Sequence, residues 1–332
     1  MVVMLAIGGA AMAGQASYPG EANWKAVCAR EMAKPLVVPK FVNEAELRHC
    51  DSERSYYGFD GARDFRGALQ CGYYQRAHPQ TDIANAVYGP GVLSMLYANG
   101  LGVARNYDLA IRFACENTWA ADAEMEGRLG HLEHMRDSHS TATDFDLCDD
   151  ATSGLMEGAC AEIGEREAKA KREQKLKTIS AGWSPATKQA FVGLQKAEQA
   201  FADARGRNET DLSGTGRAAF SIEASAKVHD QFLANLERLA KGLVPEASEV
   251  DYKAADAKLN ADYRQMMAER SKDKPGNPGE VLVSGIRETE RIWIKFRDAW
   301  VEFAKVAYPK VSTAQVGTWI TKQRIGQLKD IE

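Results

Sequence analysis

The sequence predicts an all-α protein: a short, solenoid-like run of αα-hairpin repeats followed by a duplicated three-helix bundle. Three observations carry that reading. Apolar residues recur at helical spacing in both halves of the chain. Residues 161–332 are rich in the helix formers Ala, Lys, Glu, Gln and Arg, with few β-branched runs. Short motifs return at fixed offsets, 42 residues in the first half and 92 in the second.

The chain opens with an apolar run, Met1 to Ala16, rich in Gly and Ala and too short to span a bilayer. It ends in small residues, Ala11-Met12-Ala13 and Gly14-Gln15-Ala16, the pattern of a signal peptide over 1–16. The mature protein is therefore expected to be periplasmic or secreted. No later stretch is long and apolar enough for a membrane span.

Region 17–160 holds all six cysteines, Cys28, Cys50, Cys71, Cys115, Cys148 and Cys160. An even number after an export signal reads as a disulfide framework. Pairing of sequence neighbours is the expectation: Cys28–Cys50, Cys71–Cys115, Cys148–Cys160. None of the spacings is CxxC, so neither a thioredoxin motif nor a zinc knuckle is supported.

Within this region, Gly89-Pro90-Gly91 precedes an apolar helix in which Leu93, Leu96 and Tyr97 share one face. Asn99-Gly100 and Gly102 supply a tight turn. A second helix starts at Tyr107, with Ala110, Phe113 and Ala114 on one face, which completes an αα-hairpin. Ala62-Arg-Asp-Phe-Arg-Gly-Ala68 repeats as Ala104-Arg-Asn-Tyr-Asp-Leu-Ala110, a period that suits a helical solenoid. The segment Leu96-Tyr97-Ala98-Asn99-Gly100-Leu101-Gly102-Val103, with Asn106-Tyr107 and Ala110, resembles the Sel-like (tetratricopeptide-like) repeats. The resemblance covers about residues 60–135, with a further fragment at Ala123 to Leu132. It implies a protein-interaction scaffold.

Charge also divides the chain. The total is −4, from 42 basic and 46 acidic residues, too little positive field to recruit nucleic acid. Residues 1–160 carry a net −8 and residues 161–332 a net +4. A boundary near residue 160 is expected, followed by a first helical unit over 161–245 and a second over 246–332.

In the second half, Ser184-Pro185 fits an N-cap followed by Pro at the first helical position, and Asn277-Pro278-Gly279-Glu280 carries the same signal with a capping-box Glu. Gly206, Ser213 to Gly216, Gly242 to Pro245 and Lys274 to Pro278 read as breaks. Glu198-x-x-Phe201-x-x-x-Arg205 aligns with Glu290-x-x-Trp293-x-x-x-Arg297. Each motif lies on an apolar helical stripe: Phe191, Leu194, Glu198, Phe201, Arg205 in one; Val283, Ile286, Glu290, Trp293, Arg297, Trp300, Ala304 in the other. Glu290 and Arg297 lie about 10.5 Å apart along a helix, with Trp293 between them, so each needs its own partner. Candidates are Asp256, Asn260 and Arg264 before them, and Lys322 and Arg324 after. Glu290 is expected to meet Arg324, and Arg297 to meet Asp256 or Asn260, as buried ion pairs that fix helix register.

Three ordered segments resemble the lysozyme inhibitor LprI-like family. Ala255-Asp256-Ala-Lys-Leu259-Asn260-Ala-Asp-Tyr263 is similar to its AD-x-x-LN-x-x-Y segment. Arg287-Glu-Thr-Glu290-Arg-Ile-Trp293-Ile-Lys-Phe-Arg297-Asp298-Ala299 is similar to its aQraW-x-x-yRda segment, and Thr321-Lys-Gln-Arg324-Ile-Gly-Gln-Leu328 to its closing T-x-x-R-x-x-x-L. Glu290 stands where the family usually has Gln, and the family's cysteines are absent from this half. The resemblance implies a non-enzymatic binding protein of the bacterial envelope, partnered by a lysozyme-type muramidase or another envelope protein and needing no cofactor. A non-catalytic scaffold for envelope assembly is the alternative.

Other clusters give less. His131-x-x-His134 lacks the HExxH order of a metalloprotease, and surface histidines are the expectation. Asp144, Asp146, Asp149 and Asp150 miss the spacing of a calcium loop and read as a solvated loop beside Cys148. Ser213-Gly-Thr-Gly216 lacks the end of a phosphate loop, and no GxSxG elbow occurs. Asn208-Glu-Thr210 is a glycosylation sequon by pattern only.

Overall fold

A computed structural model describes residues 24–39, 44–59, 61–79, 87–117, 120–272 and 277–331. The expected signal peptide lies outside them. Among the described residues the regular structure is helical, with no strand. The chain divides into two compact units, Met1–Cys160 and Ala161–Glu332.

The first unit contains α1 (Trp24–Met32), α2 (Glu44–Leu47), α3 (Ser52–Tyr57), α4 (Phe65–Ala77), α5 (Pro90–Asn99), α6 (Tyr107–Glu116) and α7 (Asp122–Asp137). Short polar side chains start several of them. Asp64 accepts the Gly67 N–H at the head of α4, and Asn106 accepts the Leu109 N–H at the head of α6. These caps stand 42 residues apart, inside the repeated motif. Helix α5 is apolar all round and buried from Gly91 to Asn99, which makes it the core of this unit. It packs on α4 and α6, and α6 packs on α1 and α7. Gly102, at φ +68°, passes so close to Phe65 that a Cβ would lie 2.8 Å from its backbone. Only glycine fits that turn.

Two of the three expected disulfides are replaced. The bonds are Cys28–Cys115, Cys50–Cys71 and Cys148–Cys160. The reason is tertiary: α1 lies on α6, which brings Cys28 to Cys115, while the chain before α3 returns to α4 and brings Cys50 to Cys71. His131 is not a surface histidine. Its ring stacks edge-on against buried Phe145, and Nδ1 lies 3.3 Å from Asp150. The acidic cluster is an ordered turn rather than a solvated loop. Asp146 caps a 3-10 turn over Leu147–Asp150 and accepts the Tyr57 hydroxyl at 2.8 Å.

Helix α8 (Gly154–Ser180) starts before the boundary expected at 161. The second unit continues with α9 (Pro185–Asn208), α10 (Arg217–Ala240), α11 (Glu249–Arg270), α12 (Val283–Ala307) and α13 (Thr313–Lys329). Ser184 accepts the Thr187 N–H, and Ser248 and Ser312 each form a capping box. Asn277 to Glu280 does not cap α12. Asn277 bonds Glu280 within a turn, Gly279 accepts the Leu212 N–H, and the helix begins at Val283 without a side-chain cap. Gly206 is no break either. It lies inside α9, where a Cβ would sit 2.7 Å from the Ser221 carbonyl, so it sets the close crossing of α9 and α10.

Helices α9 to α13 share one core. The motif-bearing helices α9 and α12 pack on each other at its centre, with α10 on α9, and α13 on both α11 and α12. Phe191, Phe201, Phe232, Trp293, Phe296, Trp300 and Phe303 fill the space between them. Phe201 stacks on Phe296, and Phe232 contacts Trp300 with ring centroids 5.2 Å apart. Aromatic burial of this extent dominates the packing energy of a small bundle.

Candidate functional site: a charged seam, a surface network and a cleft

Along the stripes of α9 and α12 the carboxylates Glu198 and Glu290 are buried and find partners on other helices, Arg205 faces only Glu209 at the end of its own helix, and Arg297 meets Asp256 at the surface rather than in the buried pair expected. Glu290 is 9% exposed and accepts Arg324 Nε at 2.9 Å. Arg324 is fully buried and also donates through Nη1 and Nη2 to both oxygens of Glu209, at 2.9 and 2.5 Å. Its guanidinium lies 5.5 Å from the Phe201 ring. Burial works against the cation, but Glu209 and Glu290 outweigh it and raise its pKa. Burial pushes the Glu290 carboxyl up despite Arg324.

The equivalent α9 carboxylate, Glu198, takes His229 of α10 instead, 2.5 Å from Nδ1. At the same offset from Arg324 stands Phe232, so the partner comes from about one turn earlier. Burial disfavours the imidazolium, but the bond to Glu198 and the nearby Glu165 raise the His229 pKa overall. Arg205 lies 3.5 Å from Glu209, yet its Nε and Nη1 make no hydrogen bond, and burial lowers its pKa.

The other family-motif residues form a surface network. Arg297 donates to Asp256 at 3.1 Å and to Asp298 at 3.0 and 2.9 Å, and it lies 5.4 Å from the Trp293 ring. Asn260 donates to the Asp256 carboxylate and backbone carbonyl. Asp256 is half-buried and Asp298 is exposed. Leu259 and Leu328 are buried, and Tyr263 packs at the core edge, where burial raises its phenol pKa. The structure thus brings Glu290 to Arg324 and Arg297 to Asp256, while Lys322 stays exposed.

Glu209 and His229 escaped the sequence reading. Glu209 follows the apparent end of α9 and is the middle residue of the sequon-like Asn208-Glu-Thr210, where nothing in the periodicity marks it as buried. Asn208 bonds Thr289, and the Thr210 hydroxyl donates to the Arg205 carbonyl.

Beside the seam opens a cleft of about 790 Å³. Arg205 and the loop from Glu209 to Gly214 form one wall. Phe220, Glu223 and Lys227 of α10 form another, and Lys329 and Asp330 close it. A cleft of this size is in the range of small-molecule and peptide sites.

Residues 245–328 match the family model described as Lysozyme inhibitor LprI, which spans α11 and α12 and nearly all of α13. The match covers about a quarter of the chain and likens this segment to an inhibitor domain. No curated protein and no solved structure matches the chain significantly.

Proposed function

We propose that this protein is exported to the bacterial envelope and inhibits a lysozyme-type muramidase by occluding its cleft, without catalysis of its own. The family match over residues 245–328 carries the reading. The surface network supports it: Asp256 and Asp298 are held in place by Arg297 and still present carboxylate oxygens to a partner. Lysozymes are typically basic, so these carboxylates and the net −8 of residues 1–160 favour encounter by electrostatic steering. Three disulfides fit an oxidising compartment. Among the described residues no helix is long and apolar enough to cross a membrane.

The test is the turbidity of a cell-wall suspension under lysozyme. The full chain should slow clearing at micromolar concentration, and Asp256→Lys with Asp298→Lys should relieve the inhibition. A folded sample, by circular dichroism, that leaves clearing unchanged would remove the proposal.

A scaffold role is the second reading. It rests on the serial packing of α4 to α7, each on the next, as a Sel-like solenoid requires. Envelope partners captured by the full chain and lost on deletion of residues 60–135, with lysozyme clearing unaffected, would favour it.

A further inference from the structure

We propose that the cleft beside the seam binds a short peptide with free ends, its carboxylate toward Arg205, Lys227 and Lys329 and its ammonium toward Glu223 and Asp330. Neither Lys227 nor Lys329 makes an ion pair among the described residues, nor does Glu223. Exposed charges of both signs thus line one cleft, with Glu223 and Lys227 one turn apart on α10. The other acidic groups are already engaged: Glu209 by Arg324, and Asp211 by the Ser213 N–H. Arg205 is the strongest single pointer. Its side chain lines the cleft and keeps 12% of its surface; its Nε and Nη1 are shut off from solvent with no hydrogen-bond acceptor, its charge is met chiefly by Glu209 at 3.5 Å, and a ligand would reach only the remaining edge of the guanidinium. A buried guanidinium left short of acceptors favours an arriving carboxylate.

The chemistry around Arg205 selects the ligand. A simple anion would meet the basic groups but also Glu223 and Asp330. A simple cation would meet the reverse. A zwitterion satisfies both sets, and the cleft is too large for a single amino acid. Phe220, 46% exposed on the cleft wall, offers a ring for the apolar side chains of such a peptide. The cleft lies mainly on α9, α10 and the loop between them, outside the family-matched residues, so the inference stands apart from the inhibitor reading.

Isothermal titration calorimetry of the full chain tests it, with trialanine, its C-terminal amide and its N-acetyl form. Trialanine should bind, the amide at least tenfold more weakly, and the acetyl form more weakly than trialanine. Lys227→Gln is a surface change that leaves folding intact. It should weaken trialanine severalfold while leaving the amide unchanged, and Glu223→Gln should do the converse for the free amine. No heat from trialanine at millimolar concentration, or equal affinity for acid and amide, overturns the proposal. So does a Lys227→Gln effect of the same size on both peptides. Lysozyme takes no part in the assay, so its outcome is independent of whether the chain inhibits one.

Discussion

Arg324 shows how a charge can be the least dispensable side chain in a hydrophobic core. It has no water contact and three hydrogen bonds to two carboxylates from distant segments. Arg324→Met should destabilise the second unit by about 3–5 kcal/mol, because Glu209 and Glu290 would be left buried without their cation. Glu290→Gln should change stability by less than about 1 kcal/mol, since Glu209 still holds Arg324 and the Gln amide oxygen can still accept its Nε–H. Urea unfolding of the two variants measures the difference, and equal losses would contradict this assignment. His229 gives a pH test. Its folded pKa is raised, so the Glu198 pair contributes fully below the unfolded value of about 6.5 and fades as pH rises through the folded pKa. Glu198 and Glu165 favour its charge and Arg172 opposes it. The melting temperature of the native chain should therefore exceed that of His229→Gln most near pH 5–6, with the gap closing in alkaline buffer.

Helices carry their signals locally, and most were legible for that reason. Ser184-Pro185 starts α9 because both residues act on their own backbone, and the repeated Asp64 and Asn106 caps start α4 and α6. The Glu-x-x-aromatic-x-x-x-Arg stripe was legible as a core face because period is a property of one helix. What failed was most of the contact between elements, the Glu290–Arg324 and Arg297–Asp256 pairs excepted. Gly206 looks like a break until α10 is seen crossing against it. Asn277 to Glu280 looks like a cap until Gly279 is seen pairing with Leu212. The disulfide pairs likewise follow helix neighbours rather than sequence neighbours. The crossing predicts that Gly206→Leu costs about 1–3 kcal/mol by overpacking against Ser221 and Ser225, whereas Gly193→Leu, with open space at its Cβ, costs far less. Thermal melts of the pair decide it.

At the scale of the molecule, covalent reinforcement is confined to one unit. All three disulfides lie in residues 1–160, and the second unit has no cysteine. Dithiothreitol should loosen the first unit, each lost bond costing about 2–5 kcal/mol, and leave the second unit's stability unchanged. Hydrogen exchange read by mass spectrometry separates the two, and equal loss of protection in both would refute it. The division of the chain at residue 160 coincides with the change in charge and cysteine usage, whereas the packing of α9 to α13 around one core has no such local signal. That packing depends on α9 meeting α12 across 92 residues, and no local pattern encodes it.

The bidentate grip of Glu209 on Arg324 has a practical corollary for anyone dissecting the chain. Excising only the stretch that resembles the inhibitor family would discard that grip entirely, along with Phe191, Phe201 and Phe232. The excised piece would expose half an aromatic interior and hold a guanidinium with a single counter-ion. Such a peptide should remain molten or clump, and its silence in a muramidase assay would say nothing about the intact protein.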